Sequence, residues 1–175
     1  LGLEQTARAF ASLHCQSTEY RTLHVAGSNG KGTLCAVLSA ALTHENIPHL
    51  MFSSPHLIDV EERIRLNGIP VSSEQFDMAL SRVYDATEAK NISVTFFEAT
   101  FLIAMAVADA HAIDVLILET GLGGRLDATR VAKADVCAVT SLSLDHTDIL
   151  GDDLTQIARE KAAIARPDSP LIVRR

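Results

Sequence analysis

The sequence has no tryptophan, and only 5% of its residues are aromatic. It also has no long unbroken apolar run, because no segment reaches the roughly 18 apolar residues that a membrane-spanning helix needs. The first residues carry Glu4 and Arg8 within their apolar pattern, which is not the composition of a secretory signal peptide. We therefore expect no membrane partner and no leader.

Basic residues are scarce as well, with 15 lysines and arginines against 22 aspartates and glutamates. The resulting net charge of −7 argues against nucleic acid as a partner. The three cysteines, Cys15, Cys35 and Cys137, are odd in number and scattered, which favours free thiols in a reducing compartment. We expect a cytoplasmic protein, with a mitochondrial form as the alternative in a eukaryote.

What the sequence does contain is an alternation of apolar strands and helices. Periodicity predicts helices over 4–14, 33–45, 73–90, 95–112 and 154–165, and strands over 22–25, 48–54, 114–120, 135–141 and 170–175. Asn67-Gly68 predicts a hairpin, and Ser73 is the predicted N-cap of the third helix. Because several strands are apolar on both faces, we expect an α/β fold with a mostly parallel sheet covered by helices on both faces.

Ligands of such sheets bind at the carboxyl ends of the strands, and the first strand leads into HVAGSNGKGT, residues 24–33. Its glycines let backbone N–H groups approach a phosphate, Lys31 can reach the outer phosphates, and Thr33 can bind Mg²⁺. The spacing departs from the usual P-loop, because Val25 replaces the first glycine and Gly32 separates Lys31 from Thr33. The alternative is a glycine-rich turn with an exposed lysine.

Two later strand ends carry candidate metal ligands. Glu119 ends an apolar strand, where its carboxylate can reach a metal, and the alternative is a simple ion pair with Arg125. His146 follows the next strand between Asp145 and Asp148. It can complete a divalent-metal site with Glu119, with the neighbouring carboxylates orienting the ring, or it can be a structural hydrogen-bonding residue.

Three further positions allow both a functional and a structural interpretation. Lys161 stands in the apolar helix face AREKAAIA, where a snorkelling lysine is the alternative to a site residue. His56 follows Pro55 after the second strand and can touch a ligand there. Residues 96–98, Phe-Phe-Glu, begin a helix, and their alternative is core packing with an acidic residue at the helix N-terminus.

Six segments, taken in order, carry a resemblance to a known family: HVAGSNGKGT, FSSPHLIDVEERIRLNG, TFFEATFLIA, LETGLGGRLDAT, SLDHTDILG and IAREKAAI. Together they resemble the ATP-binding domain of folylpolyglutamate synthase and dihydrofolate synthase in the Mur ligase superfamily, and they span almost the whole chain. The glycine between lysine and hydroxyl residue is typical of this family. The chain departs from the pattern at Ser28, where threonine is usual, and at Arg130, where asparagine is usual.

The resemblance implies a fold and a division into domains. The fold would be the P-loop NTPase-like sheet of the Mur ligase central domain. Residues 1–175 would form an incomplete ATP-binding domain, and the C-terminal glutamate-ligase domain of the family would be absent from this chain. A fragment of this kind is expected to be inactive alone.

The resemblance also implies roles for particular residues. ATP phosphates would contact Gly27, Asn29, Gly30, Lys31, Gly32 and Thr33. Two Mg²⁺ ions would be held by Thr33, Glu119, His146 and Lys161, the last of them as a carbamate. The catalytic residues would be Lys31, His146 and Lys161. The folate or pterin would contact Ser54, Pro55, His56, Thr95, Phe97 and Asp127.

The implied reaction is ATP-dependent ligation of L-glutamate to the carboxylate of folate or dihydropteroate by a monomeric enzyme. Phosphorylation turns the carboxylate into an acyl phosphate, which an amine can attack, so no protein nucleophile is needed. The alternatives are a small-molecule kinase or other P-loop enzyme, a cell-wall Mur ligase and a non-catalytic nucleotide-binding paralogue. The SSPHL and RIRLNG segments favour the folate branch.

Overall fold

The computed structural model of the protein describes residues 2–13, 15 and 20–173. Its helices are α1 (Glu4–Ser12), α2 (Lys31–His44), α3 (Ser73–Glu88), α4 (Phe96–Ala110), α5 (Thr147–Leu150) and α6 (Leu154–Ala162). Its strands are β1 (Arg21–Ala26), β2 (His49–Phe52), β3 (Ile64–Leu66), β4 (Ile69–Pro70), β5 (Val115–Glu119), β6 (Val136–Val139) and β7 (Leu171–Val173). Two short 3-10 turns cover Val60–Arg63 and Ala128–Val131.

The strands form one sheet in the order β4-β3-β2-β5-β1-β6-β7. The strands β2, β5, β1, β6 and β7 pair in parallel, whereas β3 and β4 add an antiparallel edge. Asn67 and Gly68 join β3 to β4 with φ angles of 51° and 83°. Two consecutive positive φ angles are what the tight hairpin turn requires, so the predicted hairpin is confirmed.

The two faces of the sheet are buried against different helices. On one face, Leu50 and Leu116 join the main core with residues of α1, α3 and α4. On the other face, Met51 and Ile117 pack against Cys35 and the rest of the apolar side of α2. Successive strand residues point to opposite faces, so apolar residues in an unbroken run are buried on both. The predicted mostly parallel sheet with helices on both faces is confirmed.

Some predicted boundaries are wrong. The helix α2 begins at Lys31 and not at Thr33, because Gly30, with a φ of 82°, turns the chain directly into the helix. The predicted helix over 154–165 ends at Ala162. His14, at the end of the first predicted helix, and Arg174 and Arg175, at the end of the last predicted strand, lie outside the described residues.

The predicted cap of α3 is also wrong by one residue. The hydroxyl of Ser72, not of Ser73, accepts the N–H of Gln75 at 3.2 Å. The side chain of Gln75 in turn accepts the N–H of Ser72 at 2.9 Å, which completes a capping box. Two adjacent serines made the position ambiguous in the sequence, and the spacing to Gln75 selects the first.

None of the helices in residues 2–13 and 20–173 is long and apolar enough to cross a membrane. The most apolar helix, α4, has 15 residues and is buried by the sheet and by its neighbours, with nine of its residues buried. Its apolar character is therefore explained by the core of this domain.

Candidate active site

The carboxyl ends of the parallel strands bring the predicted loops together at one edge of the sheet. Gly27, directly after β1, has a φ of 148°, and a side chain there would collide with the side chain of Thr140 after β6. The hydroxyl of Thr140 donates to the carbonyl of Asn29 at 2.7 Å. Ser28 N–H donates to the carbonyl of Ser141 at 2.7 Å. The loop after β1 is thus held in shape by the loop after β6.

Two lysines meet on one backbone oxygen of this loop. The Nζ atom of Lys31 donates to the carbonyl of Gly27 at 3.0 Å, and the Nζ atom of Lys161 donates to the same carbonyl at 3.1 Å. Two like charges repel each other at such short range, and a single neutral carbonyl offsets this only in part. We therefore expect an anion such as a phosphate group to bind next to these two lysines.

Lys161 is 2% exposed, so the alternative of a snorkelling lysine is wrong. Burial lowers its pKa first, and the nearby charge of Lys31 lowers it further, whereas Asp145 acts in the opposite direction. The helix α6 can bring the lysine this deep because Gly124 lies directly under it. A Cβ atom at Gly124 would lie 2.7 Å from the carbonyl oxygen of Glu160 and 2.9 Å from that of Lys161.

Glu119, the last residue of β5, is a buried carboxylate that is 5% exposed. It accepts the N–H of Ser54 at 3.3 Å, and its oxygens lie against the backbone of Gly32 at the start of α2. Burial raises its pKa, and the two backbone N–H groups and Lys31 oppose the rise. The alternative pairing with Arg125 is wrong, because Arg125 bonds Glu160 at 2.7 Å.

The residues fit a magnesium ion that completes its shell with substrate and water. Glu119 lies at the start of α2, where Thr33 is exposed. Mg²⁺ prefers one or two carboxylates together with phosphate oxygens and waters. Within the described residues, no three histidine, cysteine, aspartate or glutamate side chains converge into a ready-made metal cage. A metal here would depend on the nucleotide for several of its ligands.

His146 lines a different cavity from Glu119. It has a φ of 49° and precedes α5, and its Nε2 atom lies 3.5 Å from the Oδ1 atom of Asp145. His146 lines the same cavity as Lys31, whereas Glu119 lines a neighbouring cavity with Gly32. Within the described residues, neither Glu119 nor His146 belongs to a group of three or more potential metal ligands, and metal roles for them stay a prediction.

A cavity of about 900 Å³ opens from the phosphate loop towards α4. At one end it is lined by Ser28, Lys31 and His146. Towards the other end lie five of the six predicted folate residues, Ser54, Pro55, Thr95, Phe97 and Asp127. The sixth, His56, does not line the cavity but accepts a hydrogen bond from Arg63, which does. One cavity thus joins Lys31 to the predicted folate site, whereas Gly32 lines a neighbouring cavity and Asn29, Gly30 and Thr33 line another.

The start of α4 has both structural and cavity-lining roles. Thr95 is the N-cap, and the carboxylate of Glu98 accepts the N–H of Thr95 at 2.7 Å. Glu98 also accepts the hydroxyl of Thr6 at 2.5 Å, which ties α1 to α4. Phe97 packs on Phe52 with ring centroids 5.7 Å apart while its edge faces the cavity. The core-packing alternative is therefore correct for Phe97 and compatible with a ligand contact.

Asp127 is held by a dense set of hydrogen bonds. Its Oδ2 atom accepts the N–H groups of Gly121 at 2.8 Å and Leu122 at 2.9 Å. Its Oδ1 atom accepts both the N–H and the hydroxyl of Thr129. Burial raises its pKa, and these hydrogen bonds oppose the rise. A ligand bonding to Asp127 would have to share oxygens that already have four donors.

The sequence analysis missed two buried residues near the cavity. The Nε2 atom of His24, on β1, lies 2.8 Å from the hydroxyl of Thr129, and burial lowers the pKa of His24 to about 3. Arg63 is only 8% exposed although EERIRL looks like a charged surface segment. The one available signal was the alternation in RIRL, which places Arg63 and Arg65 on the same side of an extended chain. Only tertiary packing decides which of the two is buried.

Arg130, the position that departs from the family pattern, does not line the cavity. Its Nε atom donates to the carbonyl of Ala163 at 2.8 Å, at the C-terminal end of α6. The backbone carbonyl of Arg130 accepts from Arg166 at 2.6 Å. The arginine therefore fastens the helix that carries Lys161.

Comparison with known proteins shows which proteins the chain resembles. No family model matches the chain. It is 42% identical over 173 residues to the dihydrofolate synthase/folylpolyglutamate synthase of Escherichia coli K12, which covers 99% of this chain and 40% of that protein. The chain thus spans about two fifths of the length of the curated relatives that it matches in full.

Solved structures give the same result. Escherichia coli FolC in complex with DHPP and ADP superposes with a TM-score of 0.94 at 42% identity, covering 99% of this chain and 41% of that one. A bifunctional folylpolyglutamate synthase/dihydrofolate synthase with Mn, AMPPNP and L-glutamate bound gives a TM-score of 0.92 at 40% identity, covering 99% of this chain and 42% of that one.

Proposed function

From the homology of this chain to the N-terminal portion of dihydrofolate synthase/folylpolyglutamate synthase, we propose that it forms the ATP-binding part of a ligase. The ligase adds L-glutamate to the carboxylate of folate or dihydropteroate. The observation that carries the proposal is the single cavity that joins Lys31 at the loop after β1 to Thr95 and Phe97 at the start of α4. Such a cavity can hold a phosphate donor and an elongated aromatic acid end to end.

Phosphate binding is assigned to the loop after β1 and the start of α2. Gly27, Asn29, Gly30, Gly32 and Thr33 would offer backbone N–H groups and a hydroxyl to the phosphates of ATP. The N-terminus of α2 adds its favourable dipole. Lys31 would leave the carbonyl of Gly27 and move to the γ-phosphate, where its charge offsets the negative charge of the two reacting anions.

The chemistry proceeds in two displacements. The substrate carboxylate oxygen attacks the γ-phosphorus of ATP, ADP leaves, and an acyl phosphate forms. The amine of L-glutamate then attacks the acyl carbon, phosphate leaves with the bonding electrons, and the amine loses a proton. The tasks left to the chain are to align the carboxylate with the γ-phosphate and to neutralise charge, both of which the loop after β1 can do.

Two Mg²⁺ ions are proposed as the cofactor, with Thr33 and Glu119 at one and His146 and Lys161 at the other. When bound, the metal would act as a Lewis acid that draws negative charge from the phosphate oxygens. Carbon dioxide reacts with the neutral form of an amine, and the lowered pKa of Lys161 favours that form. As a carbamate, Lys161 would become an anionic oxygen ligand and the repulsion with Lys31 would become attraction.

The chain is proposed to be an incomplete ATP-binding domain that works with a C-terminal glutamate-ligase domain. Its coverage of about 40% of the matching relatives supports this division. The exposed apolar side chains of β7, Leu171, Ile172 and Val173, are consistent with further sequence packing there. A monomeric enzyme in the cytoplasm completes the proposal, and the free cysteines of the described residues suit that compartment.

The test is ATP-dependent phosphate release by the full-length protein that contains this chain. We expect release only when L-glutamate and either dihydropteroate or tetrahydrofolate are both present, and the preferred pterin names the enzyme. Release with a UDP-sugar peptide in place of a pterin would move the protein to the cell-wall branch. Absence of release with every substrate would favour a non-catalytic nucleotide-binding paralogue.

Two substitutions test the assigned lysines. Lys31→Ala should abolish phosphate release while leaving the fold intact. Lys161→Ala should lose activity, and added acetate should restore part of it by supplying the missing carboxylate. Normal phosphate release by the Lys31 variant would contradict the assignment of Lys31 to phosphate binding. Normal activity of the Lys161 variant would show that Lys161 is not part of the site.

A further inference from the structure

Arg63 is a buried arginine on the wall of the cavity, and the proposed reaction has not used it. It ends the 3-10 turn that leads into β3, and its backbone carbonyl accepts the N–H of Ser53 at 2.9 Å. That bond anchors it beside the end of β2. Its side chain is 8% exposed and lines the same cavity as Lys31.

The orientation of the guanidinium group is fixed from two sides. Its Nε–H donates to the Nδ1 atom of His56 at 2.8 Å. Its central carbon lies 5.1 Å from the centre of the Phe96 ring, in a cation–π contact. The His56 ring also meets Phe96 edge to face, with centroids 6.4 Å apart. A group held in this way presents its two terminal nitrogens in a constant direction.

Those two terminal nitrogens have no hydrogen-bond partner and no carboxylate partner among the described residues. Both nitrogens are accessible to solvent, because the only fully buried side-chain nitrogen without a partner in the described residues is Nδ1 of His24. Arg63 is one of the residues that line the cavity, so an anion in the cavity can reach its guanidinium group. The cavity therefore contains an unpaired, oriented cation.

The acidic residues of the cavity do not supply the missing partner. Glu160 is paired with Arg125, the other arginine of the cavity. Glu98 caps α4 and accepts from Thr6, and Asp127 accepts four donors of its own loop. Asp145, the fourth acidic residue of the cavity, lies 3.5 Å from His146. A buried cation without a partner is costly, and its cost is recovered when an anion binds.

We propose that Arg63 binds a carboxylate of the folate substrate through its two terminal nitrogens. A guanidinium offers two parallel N–H donors that match the two oxygens of a carboxylate, and the geometry is already set by His56 and Phe96. The proposal rests on the proposed function and adds to it the group that recognises the acidic end of the substrate. It makes Arg63 a specificity-determining residue in addition to the residues of the phosphate loop.

Two carboxylates could be the ligand, and they differ between the two substrates. Dihydropteroate carries one carboxylate, which is the one that reacts. A folate carries the reacting γ-carboxylate of its glutamate and, beside it, an α-carboxylate that does not react. Weaker binding of both substrates after substitution would assign Arg63 to the reacting group, whereas weaker binding of the folate alone would assign it to the α-carboxylate.

The experiment measures dissociation constants in the full-length protein for dihydropteroate, for dihydrofolate and for the corresponding carboxamides. The substitutions are Arg63→Met, which keeps the apolar bulk, and Arg63→Lys, which keeps the charge. Arg65→Met is the matched control, because Arg65 lies two residues further on, bonds the carbonyl of Glu62 and does not line this cavity.

We expect the wild-type protein to bind an acid about ten- to one-hundred-fold more tightly than its amide, the size of a hydrogen-bonded charge interaction. Arg63→Met should bind dihydrofolate no more tightly than its amide, and the same should hold for dihydropteroate if Arg63 binds the reacting carboxylate. It should bind the amides as tightly as wild type does, so a general loss of structure is distinguished from loss of the contact. Arg63→Lys should keep part of the preference, and Arg65→Met all of it.

The inference is overturned if Arg63→Met keeps the full preference for the acids, or if it binds the amides as poorly as the acids. Neither result contradicts the proposed function, because in both cases the wild-type protein still binds pterins. A wild-type protein that binds neither pterin acid would overturn the inference together with the proposed function.

Discussion

Glu119, at the end of β5, and Asp127, in the loop that follows, are two buried carboxylates, and each is 5% exposed. Burial raises the pKa of both. They differ in how their oxygens are used. Asp127 accepts four donors from Gly121, Leu122 and Thr129, whereas Glu119 accepts backbone N–H groups only, from Ser54 and Gly32.

The difference separates an acid whose oxygens are engaged by its own loop from an acid that has oxygen lone pairs to spare. A carboxylate with about four lone-pair sites filled by its own loop stabilises that loop. A carboxylate with spare sites, at the N-terminus of α2 and beside Lys31, is able to hold a cation that comes with a nucleotide. Burial alone does not distinguish the two cases, and a count of donors does.

The largest effect is expected from Glu119→Gln. If the spare oxygens hold a metal, ATP turnover by the full-length protein should fall about a hundredfold or more, because one Lewis-acid contact contributes several kcal/mol. Amide hydrogen exchange at Gly121 and Leu122 should stay at the wild-type rate, since Glu119 does not bond them. Full turnover by this variant would contradict the assignment of Glu119 as an acid that holds a metal.

Asp127→Ala should show the reverse pattern. It leaves the buried N–H groups of Gly121, Leu122 and Thr129 without their acceptor, at about 1–3 kcal/mol for each donor that water does not reach. We expect local stability to fall by about 2–4 kcal/mol in total, read as faster amide exchange at these three residues. Unchanged exchange would show that the four hydrogen bonds do not hold the loop.

A smaller effect is expected from Thr129→Val, which keeps the shape of the side chain and removes its hydroxyl. The hydroxyl donates to Asp127 and accepts from His24, so its loss should cost about 1–2 kcal/mol. Thr129→Ser restores both bonds and serves as the matched control. Equal exchange protection in the two variants would mean that this hydroxyl contributes nothing measurable.

A pH dependence of stability is expected from His24, at the far end of the Asp127 network. Its pKa is about 3 in the folded protein against an ordinary value of 6.5, because it is buried near Arg166 and Arg130. The unfolded chain therefore takes up the proton first. The contribution of His24 to stability is complete above about pH 6.5 and is lost as the pH falls towards 3, by about 1.4 kcal/mol per pH unit.

Urea unfolding over this pH range checks the sign. The raised pKa of Asp127 acts in the opposite direction, because acid protonates the folded state first, so the useful quantity is the difference between wild type and His24→Gln. The substitution should flatten the loss of stability on the acid side. A parallel course of the two curves would show that His24 takes up its proton equally well in both states.

Local sequence patterns were enough to predict the parts of the fold that depend on local chemistry. Apolar runs without alternation predicted the buried strands, Asn67-Gly68 predicted the hairpin, and the glycines of HVAGSNGKGT placed a loop between β1 and α2. Each of these is a property of residues next to each other, which is why the sequence carries it. The cap of α3 shows a limit of such local patterns. Ser72 and Ser73 are both suitable N-cap residues, and only the spacing to Gln75 distinguishes them.

Only the tertiary structure decided which charged groups are buried and what each one meets. Lys161 and Lys31 reach the carbonyl of Gly27 from helices far apart in the sequence. Arg63 and Arg65 are alike in the sequence, yet only Arg63 lines the cavity. Glu119 and Asp127 are eight residues apart in the sequence, yet their donors come from different segments. Desolvation and hydrogen bonding depend on distance in space, which neighbouring residues in a sequence do not determine.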